Sequence, residues 1–386
     1  MGNVYLIIID GLGVGAQEDA HLYGDEGMNT LGHVSSNTKV RLPNLENMGL
    51  GNIIVLDSVS EVQEPSASYG KMREISAGKD STTGHWEIAG IHLEKAFPTY
   101  PNGFPQEMLD EFCEGIKVDK VLCNLPYSGT DVIRDFGEEH IRTGYPIVYT
   151  SADSVFQVAC HEDVASVEML YDWCEFARKN ICINEHEVGR VIARPFTGTY
   201  PYDRLSDQRK DFSAIPPENN LMEVLQNDGV KTYSIGKVID LFAGKGFSQY
   251  RKTKNNAEGI SQLLSAMSAV KDSFVFVNLI DTDQLYGHRL DPKGYAESLE
   301  EFDRAVPAIL SKLQQDDIMI ITGDHGNDPC SDSTDHSREF VPLLVYAPSS
   351  SVGQDLGIRE AFSDVAVSIA EYFNVEHNFS GSSFLH

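Results

Sequence analysis

The sequence predicts an α/β protein built on a central, mostly parallel sheet, with a smaller α/β domain inserted into it. Three observations carry this expectation. Short continuous apolar runs recur along the chain, amphipathic helical stripes lie between them, and a Pro- and Gly-rich middle segment interrupts the pattern with strands of its own.

The runs Val4–Ile9, Val230–Ile235, Phe274–Ile280, Ile318–Thr322 and Val341–Tyr346 read as strands buried on both faces, the mark of a parallel sheet. Between them, Ile260, Leu263, Leu264 and Met267 share one helical face, as do Phe362, Val365, Ile369 and Tyr372. Leu299, Phe302, Val306, Ile309 and Leu313 form a third stripe, with a kink expected at Pro307. From about Phe97 to Ser213 turns at Pro98, Pro101, Gly103, Pro105, Pro126, Gly129 and Pro146 surround strand candidates Ile147–Thr150 and Gly189–Ala193 and a helix over Val167–Arg178. The expected division is a discontinuous core, 1–97 and 214–386, and an inserted cap domain, 98–213.

Composition narrows the function. The 386 residues carry 30 Lys+Arg against 58 Asp+Glu, a net charge of −28, with 41% hydrophobic and 23% charged residues. That is a folded chain with no basic face for nucleic acid and no attraction to anionic lipid. Six cysteines without a CxxC pair suggest reduced thiols, and the first apolar run stops at Asp10, far short of a signal or a span. A cytoplasmic protein is expected. A small anionic substrate remains compatible with this charge if metals or clustered Arg and Lys hold it.

The core strands share a feature: they run into carboxylates. Val4–Ile9 ends at Asp10, Phe274–Ile280 at Asp281-Thr282-Asp283 with His288 five residues on, and Ile318–Thr322 at Gly323-Asp324-His325. Ligands in open α/β sheets bind beyond the carboxyl ends of strands, so these groups converge on one edge. Thr334-Asp335-His336-Ser337-Arg338 lies just ahead of the last strand and adds His336. Carboxylates so close repel and raise one another's pKa, which two divalent cations resolve; mixed Asp/His donors suit Mn, Zn or Fe, and a metal pair about 4 Å apart clamps a phosphoryl displacement.

Gly78-Lys79-Asp80-Ser81-Thr82-Thr83-Gly84-His85-Trp86-Glu87 packs hydroxyls between glycines. It reads either as a solvated N-cap or as a metal-activated hydroxyl at a helix N-terminus. Gly11-Leu12-Gly13-Val14-Gly15 lacks the GxGxxG spacing, and the Asp ahead of it would repel a pyrophosphate, which excludes dinucleotide binding.

Together these residues resemble the phosphopentomutases of the alkaline-phosphatase-like metalloenzyme superfamily. The likeness runs nearly end to end through Asp10–Gly15, Gly78-Lys79-Asp80, Thr83–Glu87, Thr150-Ser151-Ala152-Asp153-Ser154, Gly189–Phe196, Gly287-His288-Arg289 and Asp324–Pro329. The resemblance implies an alkaline-phosphatase-like core with a cap and two Mn²⁺ ions. One would be held by Asp10, Asp324 and His325, the other by Asp283, His288 and His336, with a phosphorylated hydroxyl bridging them. It also implies interconversion of ribose 1-phosphate and ribose 5-phosphate, and of the deoxyribose pair, through a phosphoenzyme and a sugar bisphosphate that also activates the enzyme. Substrate contacts would come from Ser151, Asp153, Arg190, Ile192, Arg204 and Lys237.

Two positions depart from the family pattern. Ser81 stands where the family's phosphorylated Thr is usual, so Ser81 is the expected nucleophile, with Thr82 and Thr83 as alternatives and Thr83 expected to cap the helical segment beyond it. Asn29-Thr30-Leu31-Gly32-His33 replaces the usual Asp-Thr-Leu-Gly-His. The rival readings are a phosphatase or phosphoglycerate mutase of the same superfamily, and a non-catalytic scaffold. The large insert favours a capped mutase, because a bisphosphate must be retained and water excluded. A scaffold would have lost ligands that are all present here.

Overall fold

The structure, a computed structural model, describes residues 1–385 except Ala152 and Ser351; Ala152, in the Thr150–Ser154 stretch, therefore lies outside the described residues. The chain divides into two compact units, Met1–Ala96 with Pro216–His386, and Phe97–Ile215. In chain order the strands are β1 (Val4–Ile9), β2 (Ser68–Met72), β3 (Leu122–Pro126), β4 (Ile147–Thr150), β5 (Val155–His161), β6 (Arg190–Thr197) and β7 (Asp203–Arg204). They continue with β8 (Lys210–Ser213), β9 (Lys231–Ile235), β10 (Gln249–Arg251), β11 (Ser273–Leu279), β12 (Ile318–Thr322), β13 (Val341–Tyr346) and β14 (Asp355–Arg359).

The first unit holds an eight-stranded sheet in the order β10-β9-β11-β1-β12-β13-β2-β14. β10, β9, β11, β1 and β12 are mutually parallel. Tyr5, Ile7, Val275, Val277, Met319 and Ile321 point to one face, beneath Leu263 of the helix Asn256–Met267 and Leu299, Phe302 and Val306 of the helix Pro292–Leu310. Leu6, Ile8, Phe274 and Phe276 point the other way and are equally buried, so β1 and β11 have no solvated face. Pro307 sits inside its helix one turn from the end, and the helix stops at Leu310.

One expectation needs correcting. β13 does not extend the parallel array: it runs antiparallel to both β12 and β2. A parallel return needs a crossover, usually a helix, to carry the chain back to the starting edge. The segment between β12 and β13 instead stays at the carboxyl edge, pairing Gly326 with Ser337 in an isolated bridge, so the next strand runs back. Its continuous apolar run is the run of a covered strand, whichever way its neighbours point. β2 and β14, short and poor in apolar runs, carried no such signal.

The second unit holds a six-stranded mixed sheet, β3-β4-β5-β6-β7 with β8 also paired to β6. Val148, Phe156, Val158, Val191 and Ala193 pack with Met108, Phe112, Leu170 and Cys174 of the helices Gln106–Ile116 and Val167–Phe176. The opposite face carries Ile147, Tyr149, Ala159 and Phe196 against Val132 and Ile133 of the helix Asp131–Thr143. By strand alternation Arg190, Ile192 and Arg194 share this second face with Phe196.

Glu339, just ahead of β13, fastens the loops of the first unit. Its buried carboxylate accepts from Gly15 N (3.0 Å), Thr30 N (3.0 Å), Thr30 Oγ1 (2.6 Å) and Ser337 Oγ (2.8 Å). Glu339→Ala strands four donors and should cost about 3 kcal/mol or more. The checking measurement is the denaturant midpoint, which should fall clearly, with Glu339→Gln recovering part of the loss.

Candidate metal centre

Three parallel strands end side by side, so the residues at their carboxyl ends meet. Asp10 follows β1, Asp281-Thr282-Asp283 follow β11, and Asp324-His325 follow β12 after one glycine. Thr282 Oγ1 donates to the Asp10 carbonyl at 2.6 Å and Gly11 N to Asp324 Oδ1 at 3.1 Å, which ties the three loops together. His325 Nε2 lies 3.3 Å from both Asp10 Oδ1 and Asp324 Oδ2. His336 Nε2 lies 3.3 Å from Asp283 Oδ1, and His288 Nε2 3.4 Å from Asp283 Oδ2. Two triples made entirely of first-unit residues bring their donor atoms within 4.8 Å of one another: Asp10, Asp324 and His325, and Asp283, His325 and His336. His325 belongs to both, and His288 joins the second through Asp283.

These side chains fit metal ions. Asp10, Asp283, Asp324, His325 and His336 are each at most 6% exposed, so three carboxylates share a buried site. Asp10 Oδ1, Asp324 Oδ2 and His336 Nε2 are buried without a hydrogen-bond partner among the described residues. Close approach without hydrogen-bond geometry leaves lone pairs aimed into common space, the arrangement a cation completes. The imidazoles are prepared in the same sense. His325 Nδ1 faces the Gly326 carbonyl at 3.0 Å and His288 Nδ1 the Thr334 carbonyl at 2.7 Å. A carbonyl only accepts, so each Nδ1 carries the proton and each Nε2 is presented as a ligand.

The electrostatics agree. Burial pushes Asp283 up, but His336 and His288 outweigh it and hold the carboxyl well below its usual range. Burial likewise raises Asp324, and His325 and His85 bring it down. Burial lowers His325, yet Asp324, Asp10 and Asp283 drive it well above the usual imidazole value. The cluster thus demands positive charge at its middle, from a proton or from a metal that displaces one.

Ser81 opens the helix Ser81–Ile88 and places Oγ 3.0 Å from His325 Nε2. Thr83 is engaged elsewhere: its Oγ1 donates to Asp80 Oδ2 at 2.6 Å. Asp80 is the N-cap, accepting from Thr82 N and Thr83 N, so Thr83 bonds back to the cap and caps nothing further along the helix. Gly84 lets this helix lie against the segment just beyond β12, because a Cβ there would collide with the Asp324 carbonyl. Arg338 holds the approach to Ser81: its guanidinium donates to the carbonyls of Ser76 (2.8 Å), Gly78 (2.8 Å) and Glu74 (2.7 Å).

Several contributors carry no signal of their role in the sequence pattern. His85 Nδ1 donates to the Ser81 carbonyl at 2.8 Å, leaving Nε2 to accept from Asn278 Nδ2 at 3.2 Å, and the same amide donates to Asp10 Oδ2 at 3.0 Å. Asn327 Nδ2 holds Asp283 Oδ1 at 2.7 Å. The helical spacing of Ser81 and His85 is the nearest thing to a signal for the first; Asn278, inside an apolar strand, offers only its polarity. Asn29 is explained as the N-cap of the helix Thr30–Thr38, accepting from Gly32 N at 3.2 Å, a part Asn and Asp fill about equally.

Lys237 follows β9 in the first unit, half-buried. The other expected substrate residues lie in the second unit. Arg190, on β6, is flanked by Asp153 at 3.5 Å and Asp211 at 3.6 Å. Ile192 is buried, Arg204 is exposed on β7, and Ser151 follows β4.

The Metalloenzyme superfamily model matches residues 2–377. The chain is 52% identical to the phosphopentomutase of Caldanaerobacter subterraneus subsp. tengcongensis over 382 residues, 99% of this chain and 97% of that protein. It is 50% identical to that of Dictyoglomus turgidum over 386 residues, 100% of this chain and 98% of that protein. The chain belongs to the phosphopentomutase family. As a phosphopentomutase it is an isomerase acting on sugar phosphates, and the rival superfamily activities fall away. A solved phosphoglycerate mutase from Leishmania mexicana aligns over 99% of this chain and 97% of that one, at a TM-score of 0.48 and 11% identity.

Removing divalent metal from this phosphopentomutase should lower its melting midpoint, and adding Mn²⁺ to chelator-treated protein should restore it. An ion at about a hundred times its Kd stabilises by about 2.7 kcal/mol per site. A midpoint indifferent to chelator and Mn²⁺ would mean that no cation completes the orphaned donors.

Proposed function

We propose that the chain interconverts (deoxy)ribose 1-phosphate and (deoxy)ribose 5-phosphate through a phosphoenzyme on Ser81. The observation that carries this reading is the Ser81 hydroxyl 3.0 Å from His325 Nε2, at a centre where Asp10 Oδ1 and Asp324 Oδ2 have no hydrogen-bond partner among the described residues. Two Mn²⁺ ions, one on Asp10, Asp324 and His325 and one on Asp283, His288 and His336, would lower the pKa of the serine hydroxyl and neutralise phosphoryl oxygens.

Phosphorylated Ser81 gives its phosphoryl group to the free hydroxyl of the pentose monophosphate. The O–P bond to Ser81 breaks as the bond to sugar oxygen forms, and the hydroxyl proton leaves. The bisphosphate turns end for end, returns its other phosphoryl group to Ser81 and departs as the isomeric monophosphate; a trace of bisphosphate primes the enzyme. The chain's own part is orientation. Asp80 fixes the start of the Ser81 helix, Arg338 fixes the segment before it, and Asn278, Asn327 and Gly11 fix the carboxylates. Lys79, paired with Asp25 at 3.0 Å, adds a cation beside the nucleophile in sequence.

The inserted domain acts as a cap that retains the bisphosphate, with Arg190 and Arg204 on the non-reacting phosphate, Ser151, Asp153 and Ile192 around the sugar, and Lys237 contributing from the core. A cytoplasmic setting is consistent with six unpaired cysteines and with the absence, among the described residues, of a helix long and apolar enough to cross a membrane.

Ser81→Ala should abolish turnover, a loss of at least about 10⁴-fold for a nucleophile that acts with its partners as a unit. Ser81→Thr should retain much of the activity. Peptide mapping after treatment with a sugar bisphosphate should place the phosphate on Ser81; phosphate on Thr82 or Thr83, or an active Ser81→Ala enzyme, contradicts the assignment.

A further inference from the structure

One buried side chain touches the backbone of the nucleophile and the carboxylates of one metal position at once. His85 lies one turn along the helix Ser81–Ile88 from Ser81 and is wholly buried. Its ring is stacked on Phe276 of β11, with centroids 5.6 Å apart and planes 21° from parallel.

Both ring nitrogens are committed. Nδ1 is 2.8 Å from the Ser81 carbonyl, which only accepts, so Nδ1 carries the proton. The same nitrogen lies 3.0 Å from Asp324 Oδ2, but that oxygen has no hydrogen-bond partner among the described residues, so the N–H goes to the carbonyl. Nε2 accepts from Asn278 Nδ2 at 3.2 Å, and that amide also donates to Asp10 Oδ2 at 3.0 Å. The amide cannot be reversed, because its oxygen would then face a carboxylate and a ring lone pair with no proton between them. A line of contacts therefore runs from the Ser81 carbonyl through the imidazole and the Asn278 amide to Asp10, with Asp324 beside it.

This line reaches one set of metal donors. Asp10 and Asp324 form a triple with His325, whose Nε2 is the atom that meets Ser81 Oγ at 3.0 Å. By occupying Oδ2 of Asp10, Asn278 leaves Oδ1 as the oxygen without a hydrogen-bond partner, and so decides which atom a cation meets. Asp283 is held instead by a second amide, Asn327 Nδ2 at 2.7 Å. Packing alone does not ask for this chemistry: a phenylalanine would fill the same space and stack on Phe276 as well.

We propose that His85 is a positioning residue that sets Ser81 against the metal position of Asp10, Asp324 and His325, and leaves that of Asp283, His288 and His336 untouched. The inference rests on the two-metal phosphomutase reading and deepens it. Through the Ser81 carbonyl, His85 holds the first turn of the nucleophile's helix at a fixed reach from the carboxylates. Through Asn278 it keeps Oδ1 of Asp10 turned toward the centre. A hydroxyl and a cation that must meet within tenths of an ångström are thus aligned by one rigid ring.

The test is Mn²⁺ binding by calorimetry to the full-length chain, in proteins reduced to one metal position. In Asp283→Ala the remaining ion sits on Asp10, Asp324 and His325; in Asp324→Ala it sits on the other set. His85→Phe keeps the ring and deletes both nitrogens. It should weaken Mn²⁺ about tenfold or more in the first protein and less than about twofold in the second, the usual scale for a residue that orients a ligand. In the enzyme with both positions intact, at saturating Mn²⁺ with ribose 5-phosphate, it should lower kcat about a hundredfold with KM within about threefold, because alignment counts as the phosphoryl group moves. His85→Asn, which offers an amide N–H in place of Nδ1, should recover part of kcat. The melting midpoint of each chelator-treated variant establishes that it is folded. Should His85→Phe not fold, His85→Asn and His85→Gln keep one contact each, and both should weaken Mn²⁺ at the Asp10 position alone.

Mn²⁺ affinity unchanged at both positions, or weakened equally at both, overturns the inference, as does a rise in KM with kcat unchanged. A wild-type chain that takes up no Mn²⁺ overturns the metal reading and this inference with it. Two ions in the wild type, with both held as tightly in His85→Phe, overturn the inference alone.

Discussion

Three carboxylates buried at the ends of adjacent parallel strands are the constraint on which the rest of the first unit depends. Parallel pairing of β11, β1 and β12 sends Asp283, Asp10 and Asp324 out at one edge, and burial denies them water. Such a cluster is costly unless cations answer it. The surrounding polar network is arranged to that end. Asn278, Asn327 and Gly11 each take up a carboxylate oxygen, while backbone carbonyls fix His325 and His288 with Nε2 inward. What is left over, Asp10 Oδ1, Asp324 Oδ2 and His336 Nε2, is the part a metal would use.

The loop between β12 and β13 serves this centre twice. Because it stays at the carboxyl edge it delivers His336 to Asp283, and it then places Arg338 and Glu339 beneath the neighbouring loops. Arg338 gathers the carbonyls ahead of Ser81, and Glu339 gathers the amides of Gly15 and Thr30. Ser81, the proposed nucleophile, and His336, a proposed metal ligand, are therefore both positioned from one short stretch of chain. A shift there would move both sides of the reaction together, which suits a mechanism that depends on tenths of an ångström.

Much of this was legible in the sequence because its signals are local. A continuous apolar run ending in Asp names a strand end, and the parallel-sheet rule puts such ends together. Ser81 was legible as a hydroxyl at a helix start, but the cap was expected at Thr83 and the structure puts it at Asp80. The direction of β13 was not, since a covered strand has the same apolar run whether its neighbours are parallel or antiparallel. His85 and Asn278 were hidden inside a helix and a strand, where their neighbours in space come from other elements.

The central claim is that the buried carboxylates are matched by two divalent cations held on separate ligand sets. Metal content after equilibrium dialysis against Mn²⁺ tests this directly, on the wild-type chain and on Asp283→Ala. The account predicts two ions per chain in the wild type and one in the variant, with the protein still folded. Two ions in both, or none in the wild type, would contradict it.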